Sequence, residues 1–204
     1  MVTLTGSPAT ATLASLTRVT HLPDTTLHTI AHVTLRPEHL GALRRLFDAE
    51  YLASHGTWDP DLPYGYAGHD VHVLALRDRE AHGHAGWARR AIQVGEVTVT
   101  VAGTGGVLVS PDARGVGLGR RIMDRVADSM RGTPDVEFGY LGCREEVAPF
   151  YESCGWQRIS AAEQYIARDG RPTTQPPGPP LMVLSLRPGV SWPDGPIDLR
   201  GRCW

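Results

Sequence analysis

The stretch "VSPDARGVGLGRRIMDRV", Val109 to Val126, constrains this chain more than any other. It reads as a strand end, then a loop with glycines at 115, 117 and 119, then a helix with Ile122, Met123 and Val126 on its apolar face. A glycine loop at a helix N-terminus is an anion site. Its backbone N–H groups lack helical partners, and the helix dipole adds partial positive charge. Arg114, Arg120 and Arg121 add formal charge. A glycine-rich turn with solvated arginines shares this composition. A dinucleotide fold would need G-x-G-x-x-G, whereas here the spacing is G-x-G-x-G and several strands precede it.

With 204 residues and 41% hydrophobic content, one domain with a full core is expected. The net charge of -2 implies no attraction to nucleic acid or anionic lipid. No apolar run approaches the ~20 residues of a membrane span, and the N-terminus does not read as a secretory signal. Three scattered cysteines read as free thiols of a cytoplasmic protein. All 20 basic residues are Arg, so a phosphate loop ending in Gly-Lys-Ser/Thr is excluded.

Residues 1–27, rich in Thr, Ala and Ser, read as a loose extension before a domain at 28–204. "HTIAHVTL" is the first predicted strand. Pro37 opens a helix with Leu40, Leu43, Phe47 and Tyr51 on one stripe. "DVHVLALR" and "GHAGWARRAIQV" form a predicted hairpin, and "EVTVTVAGTGGVLVS" one or two strands broken at Gly103–Gly106. Val136–Gly142 is a buried strand, "REEVAPFYESCGW" a helix ending at Gly155, "LMVLSLR" a further strand, and the rest a polar tail. The pattern predicts an α/β (α+β) fold with a mixed sheet flanked by helices.

Arg114-x-x-Gly117-x-Gly119 after "VLVSPDA", followed by "PFYESCGW" at Pro149–Trp156, resembles the GNAT N-acetyltransferases over residues 28–187. The resemblance implies a mostly antiparallel sheet splayed at the acyl-CoA strand. Acetyl-CoA would be the acyl donor, with no metal. Leu108 and Val109 would hydrogen-bond the pantetheine arm like an added strand, and the N–H of one of them would stabilise the oxyanion. The backbone of Arg114, Gly115, Val116, Gly117, Leu118, Gly119 and Arg120 would hold the pyrophosphate, and Tyr151 would protonate the leaving thiolate.

"AGHDVHVLALRDREAHGHAGWARRAIQVGEVTV" and the ending "SWPDGPIDLRGRCW" resemble two branches of that superfamily. They are the aminoglycoside 2′-N-acetyltransferases and the nodulation-factor N-acyltransferases, and "RRAIQVGEV" is closer to the second. Both acylate the amine of a glucosamine-like sugar, which implies an amino-sugar or related small-molecule amine as acceptor. The aminoglycoside enzymes carry a glutamate where this chain has Thr104 and Gly105. An acidic run is replaced by "TQPPG", and an aspartate by Arg202. Those departures argue against a polycationic acceptor.

Candidate acceptor-side residues are Glu96 as base, Asp70, the aromatic loop from Trp58 to Tyr66, and Trp204. All nine histidines fall in residues 21–84. His69-x-x-His72 and His82-x-His84 have the close spacing of metal ligands, but neither pair has evident partners, and no metal is expected. Cys154 reads as helix packing. Two alternatives stay open: donation of a longer acyl group from CoA or an acyl carrier protein, and a non-catalytic acyl-CoA-binding module. A homodimer is compatible with either.

Overall fold

The computed structural model describes residues 25–204. Among these residues ten strands form one sheet. β1 (Thr26–Ala31), β2 (Val71–Arg77), β3 (Glu80–Val94) and β4 (Val97–Val109) form an antiparallel meander. β5 (Phe138–Gly142) runs parallel to β4, and β9 (Leu181–Ser185) lies antiparallel between β5 and β6 (Gln157–Ile159). β3 is long enough to pair with β2 along its first half and with β10 (Ile197–Arg202) near its end. β7 (Glu163–Ile166) and β8 (Pro172–Gln175) extend the sheet beyond β10.

Strand alternation sorts the layers. In β2, Val73 and Ala75 face α2 (Leu118–Arg131), and Leu74 faces α1 (Pro37–His55). α2 buries Leu118, Ile122, Met123, Val126, Ala127 and Met130, a helical stripe facing Trp87 and Ala85 of β3. Burying a large apolar side chain of this kind stabilises by about 1.5–3 kcal/mol. The Trp87 indole N–H finds Ser129 Oγ at 2.8 Å, so the ring sits in the core without an unpaired donor. α1 packs Leu43, Leu46 and Phe47 against Leu74 and Leu108 on the opposite face.

Four sequence-based expectations change. The first strand starts at Thr26, inside the segment read as loose, and stops at Ala31 because His32–Thr34 turns away. Residues 1–24 of that segment lie outside the described residues. The polar tail holds β10, whose Ile197 and Leu199 are buried in a second core cluster. The helix around Tyr151, α3 (Ala148–Ser153), is shorter than predicted; Gly155 at φ +86° closes it.

The fourth change concerns Gly103–Gly106, where β4 does not break. A side chain at Gly103 would put its Cβ 2.0 Å from the Trp204 indole, so that glycine is the seat of the ring. Arg90 covers the indole, its guanidinium carbon 4.0 Å from the ring centroid. Gly103→Ala is expected to lose roughly 1–3 kcal/mol, the usual cost of overpacking, and to alter tryptophan fluorescence. Gly115→Ala, with nothing within 4 Å of its Cβ, should lose only about 1 kcal/mol for its left-handed φ of +78°. Urea unfolding of the two variants checks the contrast.

Candidate active site

β4 pairs with β3 to its last residue, Val109, but it pairs with β5 only over Val101–Gly103. Beyond Gly103 the two parallel strands part. Register with β3 also slips, because Gly86 sits opposite Gly105 while His84 sits opposite Leu108. β4 therefore carries an extra residue there, a bulge with Gly106 at φ +58°. The bulge bends β4 away from β5 and opens a groove of about 1070 Å³.

One wall of the groove is the strand end at Leu108 and Val109; another is the loop into α2. Gly115 and Gly117 adopt φ of +78° and +80°, and Gly117 is the N-cap of α2 with no side chain capping it. The first N–H groups of the helix thus face the groove without helical partners. A Cβ at Gly119 would meet the Phe150 ring at 3.3 Å, so this third glycine serves packing against α3. Arg114, Leu118 and Arg120 also line the groove. Arg114 donates to the Val109 carbonyl at 2.9 Å and to Glu50 at 3.1 Å, and Arg120 donates to the Ser153 carbonyl. Val116 packs against the core, and Arg121 turns away to the Thr25 carbonyl at 3.1 Å. Arg121 therefore directs its charge away from the groove.

Tyr151 projects from α3 into the same groove, beside Cys143 and Phe150. Burial, with Cys143 next in importance, raises its phenol well above the ordinary tyrosine value. It stays protonated at neutral pH, the state a general acid needs.

A second cavity of about 240 Å³ adjoins the groove. Phe47, Pro63, Tyr64 and His69 line it alone, and Tyr51, His55, Tyr66, Gly106, Val107 and Trp204 belong to both spaces. This shared wall is the junction. Among the described residues no carboxylate lines the small cavity. Burial, with Asp48 second, pushes the Tyr64 phenol up to about 12, so its ring offers an apolar face and a neutral hydroxyl.

Of the residues expected on the acceptor side, Tyr66 and Trp204 line this cavity, and the others do not. Glu96 sits in the turn between β3 and β4, at the end of that hairpin away from Gly106. Asp70 accepts the Arg89 backbone N–H at 2.7 Å and is no part of the cavity wall. Trp58 is buried and stacks on Phe47 at 5.2 Å, so it backs a wall residue without reaching the cavity. Thr104 lines the groove, its hydroxyl donating to the Ala102 carbonyl at 3.2 Å. Arg202 gives its guanidinium to the carbonyls of Gly65, Ala167 and Arg168 at 2.9–3.1 Å, tying down the loop that carries Tyr64 and Tyr66. Arg202 is not part of the cavity wall.

Phe47, Tyr51 and His55 were the omission. They follow one another at i, i+4 along α1, and that spacing on a helix already reading as aromatic was the available signal.

Comparison with known proteins places this geometry. The fold matches Escherichia coli ElaA with TM-score 0.58 and 20% identity, covering 79% of this chain and all of that one. It matches the E. coli GNAT family N-acetyltransferase YhbS, solved with CoA, with TM-score 0.55 and 14% identity over 86% of this chain and 89% of that one. A Brucella melitensis GNAT family acetyltransferase, solved with acetyl-CoA, matches with TM-score 0.52 and 15% identity over 84% and 94%. No curated protein matches by sequence. The family model described as Nodulation protein A (NodA) matches residues 35–201. The chain belongs to the nodulation protein A family and is an N-acyltransferase of GNAT fold.

Proposed function

We propose that the protein transfers an acetyl group from acetyl-CoA to the primary amine of a small, weakly charged acceptor, an amino sugar or a related metabolite. The observation that carries this reading is the junction. A long groove with an uncapped helix N-terminus and a small aromatic cavity share one wall at Tyr51, His55, Tyr66 and Trp204.

In this reading the N–H groups from Gly115 to Arg120 hold the pyrophosphate, and the thioester lies in the splay beside Tyr151. The amine lone pair attacks the thioester carbonyl, and the N–H of Leu108 or Val109 meets the oxyanion. The C–S bond breaks, and Tyr151 gives its proton to the thiolate. His55, the imidazole common to both spaces, takes the amine proton and passes it to solvent, and solvent returns a proton to Tyr151. The products are an amide and CoA thiol.

The cavity supports a small acceptor. It is below the ~300 Å³ at which drug-sized ligand pockets begin, and its aromatic walls suit the face of a sugar ring. A polycation would enter without a carboxylate to meet it. Each charged hydrogen bond forgone is worth about 1.5–3 kcal/mol. The resemblance to the nodulation-factor N-acyltransferases allows one variant of this reading, a longer acyl group donated by CoA or a carrier protein.

Three outcomes are expected. Gly117→Asn keeps the left-handed backbone, which Asn tolerates, yet fills the space an anion would occupy. Calorimetry should show CoA affinity falling at least about tenfold with the fold intact, and unchanged affinity would refute the loop assignment. Tyr151→Phe should lower kcat by roughly 100-fold and His55→Gln by roughly tenfold, both with CoA affinity near wild type. A thiol-release assay should show turnover of glucosamine derivatives well above that of tobramycin-like drugs, with acetyl-CoA compared against long-chain acyl-CoA in the same assay. Efficient turnover of the polycations would sink the acceptor class, and long-chain preference would replace acetyl as the donor group.

A further inference from the structure

Next to the acceptor cavity lies a group of histidines that the transfer chemistry does not use. In the β2–β3 register His72 is opposite Gly86, and Leu74 is opposite His84. His72 and His84 are therefore diagonal neighbours on one face of the hairpin, the face that carries α1. His69, from the loop before β2, lies in the gap that three glycines leave. A Cβ at Gly86 would fall 2.5 Å from His69 Cγ. One at Gly105 would fall 3.2 Å from His69 Nε2, and one at Gly106 would fall 3.2 Å from His84. His72 and His84 are completely buried and His69 is 6% exposed.

Proton accounting shows what such a cluster lacks. His84 Nδ1 lies 2.7 Å from the Gly106 carbonyl, which only accepts, so that nitrogen carries the hydrogen and Nε2 carries a lone pair. His84 Nε2 faces His72 Nδ1 at 3.0 Å. His72 Nε2 faces His32 Nδ1 at 3.0 Å, and His32 Nε2 faces the Asp61 carboxylate at 3.1 Å. If His72 donates to His84, His32 must donate in both directions and carry a charge. If each ring instead donates outward, towards Asp61, every ring is neutral and Asp61 is satisfied. Then His72 Nδ1 and His84 Nε2 point two lone pairs at each other. His69 has neither ring nitrogen hydrogen-bonded. A buried polar group left unpaired in this way forfeits its hydration without return.

We propose that His69, His72 and His84 bind a divalent transition-metal ion of the zinc class. The ion resolves both difficulties: it takes the two facing lone pairs and gives His69 a partner. The ligand atoms all lie within 4.8 Å of one another. Tetrahedral zinc with bonds of 2.0–2.1 Å needs nitrogens about 3.3 Å apart, so the His72–His84 pair has to open slightly and His69 has to draw in by about an ångström. All three rings are buried away from water, an environment that disfavours a charged imidazole and leaves ring lone pairs to ligate. Three neutral imidazoles without oxygen donors suit zinc, cobalt or nickel and disfavour magnesium or calcium. The outer partners have the form such sites use: His84 is oriented by the Gly106 carbonyl, and His72 through His32 by Asp61. Among the described residues no fourth His, Cys or carboxylate joins the group. His69 lines the acceptor cavity, so the fourth coordination position belongs to water or to a small ligand at that end of the protein.

This site is independent of the acyl-transfer reading, and its test does not involve turnover. The full-length chain, stripped with chelator, is titrated with Co²⁺ and followed by visible absorption, and zinc content is measured after expression in zinc-supplemented medium. One equivalent per chain with tetrahedral Co²⁺ bands is expected. His69→Ala, which breaks no hydrogen bond, and His84→Ala should abolish the bands. His32→Ala should weaken binding by about 10–100-fold, and His55→Gln and His82→Ala should leave it unchanged. Circular dichroism establishes that each variant is folded. Folded wild-type protein without Co²⁺ bands, or bands that survive both His69→Ala and His84→Ala, would overturn the proposal.

Discussion

The departure of β4 from β5 after Gly103 is the constraint on which the rest of the molecule depends. A strand hydrogen-bonded on both sides offers no room for a ligand. β4 keeps its β3 partner to Val109, so it stays rigid while its other edge opens. The Gly106 bulge supplies the bend, and it also frees a carbonyl for His84. Groove, junction and histidine chamber are three consequences of one extra residue in one strand.

Glycine serves several distinct physical ends here. Gly115 and Gly117 are required by left-handed backbone, with open space where a side chain would be. Gly103 and Gly105 are required by the approach of Trp204, and Gly86 by the ring of His69. A sequence shows all of these as the same letter. The loop glycines could be read because their spacing sits between a strand and a helix. "GTGG" could not, because its partners are Trp204, far along the chain, and His69 and His84 on neighbouring segments.

Much of the fold was legible for a related reason. The α1 and α2 stripes, the β2–β3 hairpin and the strand–loop–helix at 109–126 are local patterns, each stabilised mainly by its own periodicity. The short strands β6, β7, β8 and β10 carry no such period. β10 exists because β3 runs on past β2 and presents an unpaired edge at Gln93 and Val94, which the chain end covers. The placement of Glu96 failed similarly. A carboxylate in an apolar run looked catalytic, but it marks the polar tip of a two-residue turn.

The small aromatic cavity shows the limit most clearly. Its walls come from α1, from the 63–69 loop, from the β4 bulge and from Trp204, and only the register between strands unites them. His69 and His72, three apart, read as one pair, and His82 and His84 as another. The register between strands regroups them. His82 and His84 both lie on the α1 side of β3, but His82 sits at the bulge by β2's end, near Asp112, while His84 is the diagonal neighbour of His72. The set that can share an ion therefore takes members from both pairs and omits one. Spacing along a single segment could not have identified it, because the glycines that make room for His69 lie on two other strands.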